Sequence, residues 1–337
     1  MVAGKARDDH RGMTLQTFDV APSSTDDVTV RVARKDVVAD GVVELVLERP
    51  GGGRLPDWTP GAHIDLVLPQ GDVRQYSLCG DRWDPSCYRV AVLREADGRG
   101  GSAYVHERLS VGDLVGIGGP RNSFHLVPAP RYLFVAGGIG ITPILAMIDS
   151  AERLGAEWEL VYGGRTRAGM AYLDELAAHG DRVQVVPEDS DGRLDLDDVL
   201  GRADERTVTY VCGPPGLLDA VDAATTGWPT GRLRTERFTP RALGAPVLDR
   251  PFTVELARTG TSVEVDLDTS VLDAVQQAGA VALTSCRQGT CGTCETAVLA
   301  GTPDHRDSIL DDDQRAEGDR MFICVSRSCT DRLVLDL

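Results

Sequence analysis

The chain runs to 337 residues, room for two or three domains that each bury a core. Its 35 Lys and Arg against 52 Asp and Glu leave a net charge of −17, which excludes nonspecific nucleic-acid binding, a property of clustered cations. The most apolar stretch, 132–148, is shorter than a membrane span and is broken by Gly137, Gly138, Gly140 and Pro143. It reads as a buried strand entering a helix, with no membrane partner.

Residues 1–27 are polar and charged, without an apolar segment that would act as a signal sequence, and are expected to form a flexible extension. Between 28 and 128, short β-rich runs at 28–32, 42–47, 63–68, 88–93 and 113–117 are punctuated by Gly and Pro. That spacing, without helical periodicity, predicts a small antiparallel β-barrel. Within it, Arg74-Gln75-Tyr76-Ser77-Leu78 offers a cation, an aromatic face and a hydroxyl on one strand, which suits an anionic planar ligand such as flavin mononucleotide. The same alternation also occurs on purely structural strands. Gly100 and Gly101, just downstream, let backbone N–H groups approach a phosphate, and Ser102 is expected to cap the following helix.

From 129 to 238 the pattern changes to strands at 132–136, 158–162, 182–186 and 208–212, alternating with helical runs that include 143–154 and 170–178. Alternation of this kind predicts a parallel sheet with crossover helices. The first strand exits into Gly137-Gly138-Ile139-Gly140-Ile141-Thr142-Pro143, where glycines admit a pyrophosphate, Thr142 is placed to cap the helix and Pro143 fits its first turn. The G-x-G-x-x-G fingerprint is absent, and a purely structural turn would look the same. The fourth strand ends in Cys212-Gly213-Pro214 at the same carboxyl edge, where open α/β sheets bind ligands. There Cys212 is either core or a neighbour of a nicotinamide ring.

Residues 239–250, rich in Pro and small side chains, read as a linker. Beyond them a hairpin is expected at 252–256 and 262–265, a helix at 271–278 capped by Ser270, and a last strand at 332–335. Between these lie Cys286, Cys291, Cys294 and, after a gap of 29 residues, Cys324. C-x4-C-x2-C…C is the plant-type ligand spacing for a [2Fe–2S] cluster. Zinc sites usually pair two C-x2-C units, and ordinary buried thiols need no spacing at all. The remaining cysteines, Cys79, Cys87, Cys212 and Cys329, show no pairing pattern, which fits reduced thiols in the cytoplasm. Residues 251–337 carry 15 acidic and 7 basic residues; the run Asp311-Asp312-Asp313 is a helix start or solvated face, or else part of a docking surface for a basic partner.

Together these motifs resemble the phthalate dioxygenase reductase family, which includes the reductases of vanillate demethylase-type oxygenases. The resemblance spans residues 30–337. It implies an FMN-binding β-barrel at 28–128, a nicotinamide-binding α/β domain at 129–238 and a β-grasp ferredoxin at 251–337, in a monomer. It further implies that Arg74, Tyr76 and Ser77 contact the flavin, that the Gly100-Gly101-Ser102 segment lies near its phosphate, and that Phe238 lies against its ring. Gly138, Gly140, Thr142 and Gly213 would form the nicotinamide site, with Ser77 and Cys212 positioning the reacting atoms. Family members specific for NADH often place a carboxylate soon after the arginine that follows the second strand. Here that stretch is Arg165-Thr166-Arg167, which favours the 2′-phosphate of NADPH. The implied activity is a reductase that passes electrons from NAD(P)H through FMN and the cluster to a Rieske-type oxygenase. The fused reductase domains of certain self-sufficient cytochromes P450 are also similar, so a P450 acceptor is the alternative. A redox sensor would need an effector module that this sequence lacks.

Overall fold

The computed structural model describes residues 28–68, 71–96 and 98–337; the expected extension at 1–27 lies outside them. The first six strands are β1 (Val28–Ala39), β2 (Val42–Glu48), β3 (Ala62–Val67), β4 (Val73–Ser77), β5 (Cys87–Leu93) and β6 (Leu114–Asn122), with α1 (Gly101–Glu107) between the last two. Their antiparallel order is β4-β3-β6-β1-β2-β5, and a bridge between Leu78 and Val90 joins the two ends into a barrel. Val30, Val32, Leu45, Leu47, Ile64, Leu66 and Ile117 fill its interior. Each such side chain contributes roughly 1.5–3 kcal/mol on burial. The first strand runs seven residues beyond its expected end because it bends at two bulges and pairs with both β6 and β2. Its charged stretch hid this from the sequence. Lys35 Nζ donates to the carbonyls of His106 (2.8 Å) and Leu109 (2.7 Å), closing the C-terminal end of α1.

The middle third has β7 (Arg131–Gly137), α2 (Ile141–Leu154), β8 (Glu157–Gly164), α3 (Leu173–Ala177), β9 (Val183–Pro187), α4 (Glu188–Asp191), α5 (Leu196–Gly201), β10 (Thr207–Cys212), α6 (Pro215–Ala224) and β11 (Leu233–Glu236). The sheet is wholly parallel in the order β11-β10-β7-β8-β9, so the chain starts at the centre and reverses direction between β7 and β10. Helices cover both faces, which explains the near-continuous apolar strands Tyr132–Ala136 and Tyr210–Cys212. The helix expected at 170–178 is shorter than the pattern suggests. Tyr172 adopts a left-handed conformation (φ 66°), and its hydroxyl donates to the buried carboxylate of Glu44 at 3.0 Å. That tertiary bond offsets a local strain of order 1–3 kcal/mol. With the bidentate Arg89–Glu175 pair, both bonds at 3.0 Å, it clamps the sheet to the barrel.

Residues 239–250 form no helix or strand and are pinned: the backbone of Arg241 donates to Ser308 Oγ (2.9 Å) and that of Val247 to Asp304 Oδ2 (3.1 Å). The last third comprises β12 (Phe252–Leu256), β13 (Thr261–Val265), α7 (Val271–Gln277), β14 (Glu295–Ala300), β15 (Pro303–Asp304), α8 (Asp312–Glu317), β16 (Arg320–Phe322), β17 (Arg327–Ser328) and β18 (Arg332–Leu335). Its main sheet has the order β13-β12-β18-β14-β16, with β12 and β18 parallel and the other neighbours antiparallel. Ser270 caps α7 by accepting from the Asp273 N–H at 3.0 Å. The acidic run proves to be a helix start: Asp311 and Gln314 form a capping box, and Asp312 and Asp313 sit in the first turn of α8. Among the described residues no helix is long and apolar enough to cross a membrane.

Candidate functional site

All four predicted cluster cysteines are buried in one place, three on the loop that follows α7 and Cys324 on the turn after β16. Each thiol acts most strongly on one other, Cys286 on Cys291 and Cys294 on Cys324, with Cys286 also acting on Cys324. No three His, Cys, Asp or Glu side chains among the described residues converge on a single point, as one zinc ion would require. Two pairs are what a two-iron cluster needs, so the donor set fits [2Fe–2S]. Hydrogen bonds already point at the sulfurs: the Gln288 N–H lies 3.3 Å from Cys286 Sγ, the Cys286 N–H 3.5 Å from Cys291 Sγ, and Thr293 Oγ1 3.2 Å from Cys291 Sγ. Gly289 (φ 69°) has no room for a side chain, since a Cβ there would stand 2.6 Å from Val325.

On the barrel, Arg74, Tyr76 and Ser77 fall on β4, as predicted. The Arg74 guanidinium donates to the carbonyls of Val73 (2.8 Å) and Arg99 (3.3 Å). A Cβ on Gly101 would lie 2.6 Å from Arg74 Nε, so glycine alone lets the start of α1 close on this cation. Gly100 (φ 86°) is the N-cap of α1. Ser102, expected in that role, lies inside the helix, and its hydroxyl accepts from the Glu95 N–H at 3.0 Å, tying down the preceding loop. The first N–H groups of α1 thus have no side-chain cap and stand beside Arg74, an arrangement that fits a flavin phosphate. Burial pushes the Tyr76 phenol up to about 12, so it stays neutral.

The two glycine turns of the parallel sheet meet at the switch point. A Cβ on Gly140 would lie 2.2 Å from the carbonyl oxygen of Cys212, and one on Gly213 would lie 3.0 Å from Gly137 Cα. These glycines are therefore required by backbone packing of one turn on the other. Gly138 (φ 53°) faces open space. The cap of α2 is Gly140 rather than Thr142, which is buried two residues further in and donates to the Ile139 carbonyl at 2.9 Å. Arg165 and Arg167 are exposed at the carboxyl end of β8, and neither forms an ion pair among the described residues.

Sequence reasoning missed Glu236. Residue Glu236 pairs with Cys212 across β10 and β11, its carboxylate 3.9 Å from Cys212 Sγ. Burial holds the carboxyl protonated up to about 8 and, with Glu236 beside it, pushes the Cys212 thiol well above its ordinary value. Only the parallel pairing of β11, a strand too short to stand out in the sequence, brings the two together. Next to it the buried Arg237 ties the segment to α6 through Asp219 (2.9 Å) and Asp222 (2.8 Å), and leaves Phe238 43% exposed.

The comparisons agree with this geometry. Residues 254–329 match the 2Fe-2S iron-sulfur cluster binding domain and residues 134–223 the oxidoreductase NAD-binding domain. The phenoxybenzoate dioxygenase subunit beta of Ectopseudomonas oleovorans is 44% identical over 92% of this chain and 97% of its own. The solved structure of phthalate dioxygenase reductase is 36% identical, with a TM-score of 0.66 over 92% of this chain and 98% of its own. An intact type IV self-sufficient cytochrome P450 monooxygenase is 42% identical with a TM-score of 0.87 over 92% of this chain, which spans 41% of the P450 chain. The chain belongs to the phthalate dioxygenase reductase family and is a flavin and iron–sulfur oxidoreductase that acts on NAD(P)H.

Proposed function

We propose that this protein is the reductase of a terminal Rieske-type oxygenase, organised as an FMN-binding barrel (28–128), a nicotinamide-binding domain (129–238), a strap (239–250) and a ferredoxin (251–337). When bound, FMN accepts two electrons together as hydride from NAD(P)H and releases them singly to the cluster, the step an oxygenase iron requires. The observation that carries this reading is the seating of the four-thiol loop directly on the strand Val73–Ser77. In this assignment Arg74 and the start of α1 hold the flavin phosphate, while Tyr76, Ser77 and Phe238 set the ring. Gly138 admits the nicotinamide nucleotide, and Ser77, Cys212 and Glu236 orient the reacting carbon. No residue need act as a strong acid or base, because orientation carries the hydride step. The acceptor approaches over Arg287 and the exposed Val281 and Leu283, beside the cluster loop. The protein works as a monomer in the cytoplasm, where its free thiols stay reduced.

A second reading, a P450 acceptor, is favoured by one observation: the fold superposes more closely on the fused P450 reductase (0.87) than on phthalate dioxygenase reductase (0.66) at equal coverage. Offering the reduced protein each kind of oxygenase separates the two readings.

The primary test is an anaerobic titration with NADH and with NADPH, read by absorbance. Bleaching of both flavin and iron–sulfur bands is expected, and no response to either nucleotide overturns the assignment. Arg165 and Arg167 decide the nucleotide preference. Replacing both with Ala is expected to weaken NADPH binding roughly 10- to 100-fold, the worth of one charge-assisted bond, and to leave NADH binding nearly unchanged. Equal losses for the two nucleotides would exclude contact with the 2′-phosphate.

Glu236 supplies a pH prediction. Its carboxyl keeps a proton up to about 8 in the folded protein, against an ordinary value of 4.5. The folded state therefore binds more protons between these limits, and stability falls as pH rises from about 4.5 through 8. Glu236→Gln is expected to flatten this fall, measured as thermal midpoints across that range, and to remove an alkaline limb near pH 8 from NAD(P)H oxidation.

A further inference from the structure

The antiparallel pairing of β3 with β4 sets His63 opposite Ser77 and Asp65 opposite Gln75. Ile64 and Leu66 point into the barrel, so His63, Asp65 and Gln75 point outward. Outward Asp and His on a small barrel are ordinarily solvated, yet here Asp65 is only 2% exposed and His63 only 4%. The cluster loop covers them. Gln75 Nε2 uses both its hydrogens, one on Asp65 Oδ1 (2.7 Å) and one on Ser285 Oγ (2.7 Å), the residue just before the first cluster cysteine. Arg121 balances the buried carboxylate, with Nη2 at 2.5 Å from Asp65 Oδ2. A Cβ on Gly292 would stand 2.9 Å from Ser123 Oγ, and Arg99 Nη2 lies 3.4 Å from Gln288 Oε1. The barrel thus grips the loop at 285, 288 and 292, on either side of Cys286 and Cys291. Because side chains alternate along β4, the strand that turns Arg74 and Tyr76 one way turns Gln75 the other.

We propose that Asp65, Gln75 and Ser285 form a latch that holds the cluster loop against the flavin-binding strand and fixes the separation across which electrons pass. The proposal rests on the functional reading above and adds positioning residues to it. Asp65 is the fixed point, a carboxylate whose burial is tolerable only while Arg121 and Gln75 face it. Gln75 transmits that fixed position to the loop.

Two variants of the full-length, flavin- and cluster-loaded protein test this. Gln75→Glu sets a second carboxylate against Asp65 and removes both donors. Ser285→Ala removes the acceptor from the loop side and leaves the barrel strand intact. Small-angle X-ray scattering is expected to show a larger radius of gyration for Gln75→Glu and a smaller shift in the same direction for Ser285→Ala. After anaerobic mixing with the nucleotide, flavin bleaching keeps the wild-type rate. Cluster bleaching slows roughly 10- to 100-fold in Gln75→Glu, the scale on which small displacements of reacting partners act. Unchanged scattering with wild-type cluster bleaching in both variants overturns the latch. So does a Gln75→Glu protein that loses flavin and cluster bleaching together without a change in scattering, because the residue would then serve the flavin alone. A wild-type protein that failed to bleach its cluster would defeat the reductase reading instead, and the scattering would still decide the latch.

Discussion

Cys291→Ala is expected to abolish electron delivery to the partner oxygenase while the flavin is still reduced by NAD(P)H at close to the wild-type rate. The reason lies in the pairing of the thiols. Cys291 lies beside Cys286, so the two would hold one iron of the cluster together, and an alanine would leave Cys286 alone in that role. Cys291 belongs to the loop after α7, apart in the chain from the β4 strand and the glycine turns, so the flavin and nicotinamide sites are expected to keep their geometry. Loss of the visible cluster bands and of cytochrome c reduction, with ferricyanide reduction retained, is the signature. Cys329→Ala is the control: its thiol lies 3.6 Å from the Pro303 carbonyl, outside both pairs, and the variant should keep full activity. A Cys291→Ala protein with undiminished activity toward the oxygenase would refute the relay, as would one that is folded and flavin-loaded yet no longer oxidises NAD(P)H.

Gly140→Ala should be as severe at the other end of the path. Its Cβ would lie 2.2 Å from the Cys212 carbonyl oxygen, 2.5 Å from the carbonyl carbon and 2.7 Å from the Gly213 nitrogen. All three are backbone atoms at the end of a buried central strand, so relief requires the two turns to part. Displacement of Cys212 by about 1 Å is expected to lower the rate of flavin reduction roughly 100-fold. Gly138→Ala provides the contrast. Unlike Gly140, that residue has a positive φ (53°) but faces open space, so its cost to the fold is limited to about 1–2 kcal/mol of backbone strain. Stopped-flow flavin reduction and thermal midpoints of the two variants rank them. The reverse order would mean that ligand contact, and not packing of turn on turn, sets the glycine requirement.

Much of this was legible before any coordinates. The cysteine spacing named the cluster, since a plant-type loop must return a fourth ligand from a distant strand and no other common site has that asymmetry. The change from short punctuated strands to alternating strands and helices predicted a barrel followed by a parallel sheet, because period-2 and period-3.6 patterns report local geometry. Local rules failed wherever a distant residue overrode them. Tyr172 gives up helix for a bond to Glu44, Ser102 gives up the expected cap for the Glu95 loop, and Gly140 rather than Thr142 begins α2. Ser270, whose capping partner is only three residues away, behaved as predicted, and of the readings open for the run at Asp311 the structure takes the helix start.

The sequence by itself determined which chemistry the protein carries, because three of the four cluster cysteines and each of the glycine turns are written in residues close together in the chain. Only the tertiary structure decided how those centres are joined. Glu236 reaches Cys212 through strand pairing across 24 residues, and Gln75 reaches Ser285 across 210. Contacts at such separations leave no periodic trace in the sequence, and they form only once the barrel, the sheet and the ferredoxin have each folded and packed.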